Sequence, residues 1–547
     1  MRNRFALTLA CMLTACSSNA LPFTPAAFER PGDAAFVCFD TNQNPDVAVS
    51  LDLCRKDANG VLTPGFWLHS LVLQTARGEI AAVDLVNNVL LDSDQSVPGY
   101  TFIEAGDLPS AIVVPTVAPS DGSPLHAYIA NAGTRDIWSV AANRFRTPEY
   151  GTDPFAARVS LDGAPTSLTI SPDERFLFAG VPDRGSVYQI ELLPDGGLGA
   201  PTEIVLAAEI PAVVTGTHED SYARVCTSGT VLDAGARPTR TPETNGVAPR
   251  PSTLLVDRFS ETPSLLIADS ALPIVHRLPI GSAGLGAELP GIAVEIPVRD
   301  VVVTPAVPTN VDGSGSSRYL YAIDVHGDVM AVDFTDGESF GAILPVNVPF
   351  ARTTDRLAFL PLATTLEVIT PGYDVGDPRN GLCSPPATIS IAANRLHGVF
   401  LAVGFADGTV RIADIYDLDA PCRGEAGMCE GGAGSSSSDS IAFIRRHRPR
   451  IGELITTEIS TVGSVAFISD GATWPISATG ATASPWQLAS ARTHDRVSQW
   501  LRRSVPARRH HSSIGLHAGR SLGGRRRRLD RPIRRHRRGG RSGTFRR

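Results

Sequence analysis

Six cysteines, Cys38, Cys54, Cys226, Cys383, Cys422 and Cys429, are the residues best placed to do chemistry with one another. In an oxidising compartment an even set of this kind forms disulfides, and six cysteines permit fifteen pairings. Closeness in sequence suggests Cys38 with Cys54 and Cys422 with Cys429, leaving Cys226 with Cys383. Free thiols and a zinc site are the alternatives, but no Cys-x-x-Cys pair or ordered histidine partner accompanies these cysteines. A second chemistry would need acids near a histidine, as in metal binding or proton transfer. The candidates are Asp269, Asp324, His326, Asp333 and Asp414. Each acid ends an apolar stretch, where aspartate is an ordinary turn former because its carboxylate bonds nearby amides. Asp312-Gly-Ser-Gly-Ser and Asp40 to Asp46 hint at calcium, yet neither completes a loop with a terminal glutamate. Gly281 to Gly286 has no following helix to serve a dinucleotide, and His218-Glu219-Asp220 reads as a solvated loop tip. The sequence therefore assigns no catalytic, cofactor-binding or metal residue, and its two serious functional classes are a binding module and an enzyme.

The two remaining cysteines sit in the first sixteen residues. Arg2 and Arg4 precede the apolar run Phe5 to Leu13, and Leu13-Thr14-Ala15-Cys16 follows. A basic start, a short apolar run and small residues before a cut describe an export signal. The run is too short to span a bilayer. The four residues ending at Cys16 resemble the lipobox of bacterial lipoproteins. That resemblance implies cleavage before Cys16, removal of Cys11 and attachment of palmitate-type acyl chains to the Cys16 thiol; an ordinary export signal with a chance cysteine is the alternative. Ser17, in place of an aspartate, implies by the same resemblance the outer membrane over the inner. Residues 17–35 carry little apolar periodicity and are expected to be a flexible tether.

Charge divides the chain unevenly. The total is −7, yet residues 501–547 hold seventeen arginines and one acid, Asp530, so that end carries +16 and the rest about −23. Lys56 is the only lysine, a bias expected of a coding sequence rich in G and C. Out-of-frame reading of such a gene yields Arg-, Gly-, Ser- and His-rich text, and this is the favoured account of residues 481–547, expected to be disordered. A basic arm for nucleic acid, anionic lipid or acidic polysaccharide is the competing account. Nucleic acid conflicts with the export signal.

Between these ends lie short strands rich in Val, Ile, Leu and Tyr, separated by Gly, Pro, Asp and Asn turns, with no long amphipathic helix. The clearest unit is Ser167 to Gly180 followed by Arg184 to Leu192. In it Ser171-Pro172-Asp173 predicts a turn, Phe176 and Phe178 mark a strand, and Gly185 predicts a tight hairpin. Similar units recur at Gly78 to Leu85, His126 to Asn131 with Asp136 to Val140, Ser264 to Asp269 with Ile274 to Leu278, Arg318 to Asp324 with Gly327 to Phe334, and Val399 to Gly404 with Gly408 to Asp414. Such units bury their faces by stacking around an axis, which predicts an all-β propeller of about 6 to 7 blades, with the last open to being incomplete. A β-sandwich array or two separate β domains is the competing architecture.

At Ser-Pro-Asp-Glu-Arg-Phe-Leu-Phe-Ala-Gly and the Gly-x-Val-x-x-x-Asp/Glu strands the chain resembles the YVTN-type repeats of bacterial surface proteins and of lactonase-like propellers. The expected organisation is a signal at 1–16, a tether at 17–35, a propeller at 36–480 and the arginine-rich tail at 481–547. The expected function is a lipid-anchored envelope protein that binds or scaffolds, with the membrane and an envelope protein or polysaccharide as partners and no cofactor. The alternative is a lactonase-like or quinoprotein-type enzyme with an axial metal or cofactor.

Overall fold

A computed structural model describes the chain from Pro31 to Gly480, except 55–62, 147–152, 211–242, 309–315, 334–343, 346–362, 370–398, 416–449, 457–461, 468–475 and scattered single or paired positions. All described residues belong to the first of two compact units, 1–504 and 505–547. Cys16, Cys226, Cys383, Cys422 and Cys429, the tail and the turn His218-Glu219-Asp220 lie outside the described residues.

Within 167–192 the local chemistry can be followed atom by atom. Ser167–Ile170 and Phe176–Val181 pair antiparallel, with Leu168 opposite Ala179. The turn between them is built by side chains: Ser171 Oγ accepts the Phe176 amide at 2.9 Å and donates to Asp173 Oδ1 at 2.6 Å. Gly185, at φ +64°, then turns the chain into Ser186–Glu191; a Cβ there would sit 2.9 Å from the Pro249 carbonyl oxygen. Thr202–Val205 completes a sheet of four strands in chain order.

The same meander recurs. Blade 1 is led by Pro31–Asp40, blade 2 by Pro109–Val113, blade 3 by Ser167–Ile170, blade 4 by Pro251–Asp257, blade 5 by Val298–Val303 and blade 6 by Ala363–Ile369. Each leading strand neighbours the leading strands before and after it. Between blades 6 and 1 the ring is filled by Val462–Phe467, which pairs with Ile476–Gly480 in a two-stranded sheet. The protein is a β-propeller of six blades plus this two-stranded sheet, which fits the expected all-β class and blade range. The first strand starts at Pro31, inside the segment 17–35 that the sequence reading gives to the tether.

The core lies between blades. One apolar cluster joins blades 1 and 2 through Leu71, Leu73, Ile112 and Ile129, and another joins blades 2 and 3 through Ile137, Leu177 and Ile190. Further clusters join blades 3 to 4, 4 to 5 and 5 to 6. This explains why second strands read as unbroken apolar runs: in Phe176–Val181, Ser264–Asp269, Tyr319–Asp324 and Phe400–Phe405 every residue is buried, because both faces of a central strand pack against neighbours. Cys38 and Cys54 form a disulfide, S–S 2.07 Å and Cα–Cα 5.7 Å, closing the loop after the leading strand of blade 1.

Candidate functional site

The leading strands line the propeller axis and repeat one irregularity. In blades 1, 2, 4, 5 and 6 the pairing to the second strand slips within the first few residues, at Pro31/Ala34, Pro109/Ala111, Pro251/Leu254, Val298/Asp300 and Ala363/Thr365. A bulge re-aims the side chain it carries. Here it sends polar groups across to the next blade. Asp33 Oδ2 accepts the Ile112 amide of blade 2 at 3.1 Å, and Asp300 Oδ2 accepts the Leu366 amide of blade 6 at 2.8 Å. Both aspartates also accept the next amide on their own strand, from Ala34 and Val301. Ser110 donates to the Pro165 carbonyl at 2.8 Å, Ser252 to Val298 at 3.3 Å and Thr253 to Arg299 at 2.8 Å. The result is a belt of side-chain hydrogen bonds around the axis.

The acids of this belt have unusual proton affinity. Enclosure by protein pushes Asp33 and Asp300 up to about 6, against the opposing pull of their amide hydrogen bonds. Glu367, two residues beyond Thr365, is pushed up to about 8, first by enclosure and second by the charge of Asp300. All three nonetheless stay partly exposed.

Two buried histidines lie away from the axis. His276, on the third strand of blade 4, places Nε2 3.1 Å from Asp269 Oδ2 and Nδ1 2.6 Å from Glu288 Oε1. Both partners are carboxylates, so both ring nitrogens donate and the ring is an imidazolium. Burial alone would lower its pKa, but the hydrogen bonds and charges of Asp269 and Glu288 outweigh burial and raise it. His69, on the second strand of blade 1, is in the opposite state. Its Nδ1–H donates to the Trp67 carbonyl at 3.1 Å while Nε2 accepts from Arg146 at 3.0 Å. Burial first, with the Arg146 charge adding to it, depresses its pKa to about 4 despite Asp84 at 3.9 Å. Arg146 also pairs with Asp46 at 2.6 Å and covers the Trp67 ring at 4.6 Å. Between blades 4 and 5, Arg318 pairs with Asp257 at 2.5 Å and with the Ser260 hydroxyl at 2.8 Å.

The acids singled out from sequence fall elsewhere. Asp269 accepts the Arg250, Ala271 and Leu272 amides, and Asp324 accepts those of His326 and Asp328, so both are turn formers at strand ends. His326 is exposed beside that turn. Asp333 and Asp414 end the third strands of blades 5 and 6, and their side chains lie outside the described residues. Asp40 binds the Asn42 amide and the Gln43 side chain within its own loop. Among the described residues, the structure does not bring these acids together. The axial acids Asp33, Asp300 and Glu367 carry no motif in the sequence: Asp33 lies in the segment read as tether, and Asp300 and Glu367 stand singly in apolar stretches that match no catalytic or ligand pattern. Proline directly before or within a run beginning a strand was the available signal. Among the described residues no three His, Cys, Asp or Glu side chains are arranged to hold a metal ion. No described helix is long and apolar enough to cross a membrane.

No family model matches the chain, and no curated protein matches it in sequence. Three similar solved structures are the hydrazine synthase of Kuenenia stuttgartiensis, the periplasmic gluconolactonase PpgL of Pseudomonas aeruginosa and the dihydro-heme d1 dehydrogenase NirN in complex with DHE. The first covers 84% of this chain and 95% of its own at 12% identity and a TM-score of 0.42. The second covers 84% and 94% at 12% identity and 0.40, and the third 65% and 53% at 14% identity and 0.33.

Proposed function

We propose that this chain is an exported propeller, held at the cell envelope by a lipid on Cys16, that binds or scaffolds an envelope protein or polysaccharide without catalysing a reaction. The observation that supports it is the use made of ionisable side chains. Asp257, Asp269 and Asp324 each hold backbone amides, His276 is fixed between two carboxylates, and Arg318 is clamped to Asp257. Groups committed in this way stiffen a disc and are not free to move protons or attack a substrate. A propeller stiffened in this way suits recognition of a large partner.

The anchor is tested by Cys16→Ser in the native host. Wild type should stay with the membrane fraction and carry an acylated Cys16 in intact mass spectra, whereas the variant should remain unlipidated and leave the outer membrane. A wild-type protein that retains Met1 overturns the anchor. Catalysis is tested on purified full-length protein with sugar lactones; turnover that exceeds the uncatalysed rate and disappears in Asp300→Asn would replace the binding role with the lactonase-like one. One observation favours that second reading: enclosure raises Asp33 and Asp300 to about 6 and Glu367 to about 8, so Glu367 keeps its proton at neutral pH, as a general acid must.

A further inference from the structure

The third strand of blade 4, Ile274–Gly281, is joined to the next long strand, Leu289–Ala293, by a segment that reaches across to blade 3. Arg175 donates to the Ser282 carbonyl at 3.1 Å, and Gln189 donates to the Ala283 carbonyl at 3.2 Å while accepting the Leu285 amide at 2.6 Å. Glu288 Oε2 accepts the Ala207 amide at 2.8 Å. Residues 282–288 thus form a flap over the seam between blades 3 and 4, where Leu285 packs against the cluster of Leu206, Leu278 and Ile280. Gly284, at φ +96°, permits the approach, since a Cβ there would collide with the Gln189 side-chain amide.

The two ends of this flap are held by different chemistry. Near its start the partners are Arg175 and Gln189, whose protonation is fixed around neutral pH. At its far end Glu288 meets Ala207 with one oxygen and His276 Nδ1 with the other, the latter at 2.6 Å. The opposite ring nitrogen faces Asp269 at 3.1 Å. Around the ring, Ile267 is its cross-strand partner, Val187, Ile204 and Leu206 of blade 3 line the seam, and Arg277 lies on the other face of the strand. Glu191, Glu209 and Arg250 are exposed. A neutral imidazole has one N–H and cannot donate to both carboxylates. Asp269 is fully buried and keeps the Arg250, Ala271 and Leu272 amides, whereas the Glu288 side chain is 17% exposed and can turn to water. The remaining proton therefore belongs on Nε2, and Glu288 is the partner that leaves.

We propose that Glu288 is a proton-controlled strut: it holds the far end of the flap and the Ala207 amide while His276 carries both ring protons, and it swings to solvent when the ring loses one. The direction follows from linkage. Burial lowers the His276 pKa, but the bonds to Asp269 and Glu288 outweigh burial and raise it above the ordinary 6.5. The strut is therefore fully engaged below that value and is released as pH climbs through the folded one.

The test uses the full chain. Hydrogen exchange of the Ala207 amide, corrected for the intrinsic pH dependence of exchange, should lose protection about tenfold between pH 6 and pH 9.5 in wild type. In Glu288→Gln it should stay flat, because the new side chain donates to a neutral Nδ1 and still accepts Ala207 through its oxygen. Amides of Phe66–Gln74 in blade 1 should stay flat in both. Nitrogen NMR of histidine-labelled wild type should show the His276 ring with two protonated nitrogens at pH 6 and with Nε2 alone protonated at pH 9.5, a reading that does not depend on the variant folding. Equal loss of protection in wild type and Glu288→Gln overturns the strut. So does wild-type protection that is unchanged up to pH 9.5, or a neutral ring that keeps its proton on Nδ1.

Discussion

His69 and His276 are both completely buried, yet one is neutral and the other charged. Burial acts on both in the same direction, so the difference comes from what the ring nitrogens meet. His276 meets two carboxylates and must donate twice. His69 meets a carbonyl and a guanidinium and must accept once. The charge of a buried histidine in this fold is set by its hydrogen-bond partners, and each state ties the fold together differently: His276 bridges Asp269 to Glu288, whose other oxygen accepts the Ala207 amide of blade 3, while His69 anchors Arg146 of blade 2 to blade 1.

The comparison breaks most severely if the carboxylate partner is removed. Asp269→Ala strips His276 of one acceptor and also leaves the Arg250, Ala271 and Leu272 amides without theirs. Loss of a buried partner of this kind costs about 3–5 kcal/mol, to be read from urea unfolding of the full chain. A loss under about 1 kcal/mol would mean that His276 is neutral and Asp269 a dispensable turn residue.

Arg146→Met comes next. It removes the donor to His69 Nε2 and the partner of Asp46, at a cost of about 2–3 kcal/mol for a half-buried charged hydrogen-bond set. It also frees His69 to respond to Asp84. Its NMR titration should therefore move up from about 4 towards the ordinary histidine value. An unchanged titration would assign the depression to burial alone.

The same two residues should tilt the stability curve in opposite directions. His276 has a raised folded pKa, so its contribution is full below the unfolded value near 6.5 and fades as pH climbs through the folded one. His69 has a lowered folded pKa; the unfolded chain takes up a proton first as pH drops, so stability falls between about 6.5 and about 4. Each slope reaches at most about 1.4 kcal/mol per pH unit. His276→Gln should flatten the alkaline limb and His69→Gln the acid limb, measured as unfolding midpoints from pH 4 to pH 9. If one substitution flattens both limbs, the two histidines are coupled and the contrast fails.

Much of this fold was legible from sequence because the second and third strands carry it. His126–Asn131, Ser264–Asp269 and Tyr319–Asp324 coincide with apolar runs bounded by turn residues, since central strands must be apolar on both faces. Leading strands were harder to see. Their axis side is polar, so Pro31–Asp40 and Val298–Val303 look like connecting text, and the axial acids vanished with them. The candidate acids Asp269 and Asp324 were legible as turn formers, because their carboxylates bond amides two or three residues on. That His276 lies beside Asp269 follows from the hairpin Ser264–Asp269 to Ile274–Gly281, but Glu288 arrives from the connection before Leu289–Ala293 with no spacing rule to announce it.

The smallest expected effect isolates burial from chemistry. Arg158 stacks on Trp138 at 4.2 Å and on Phe155 at 4.8 Å and pairs with Asp153 at 3.1 Å, much as Arg146 covers Trp67 and pairs with Asp46. The difference is solvent: the Arg158 side chain is 47% exposed and that of Arg146 15%. Water screens the ion pair and competes for the ring, so Arg158→Ala should cost no more than about 0.5–1 kcal/mol and lose even that in high salt. Unfolding curves at low and high salt decide it. A cost equal to that of Arg146→Met would show that ring stacking alone carries both arginines, and that the buried hydrogen bond to His69 adds nothing to the tie between blades 1 and 2.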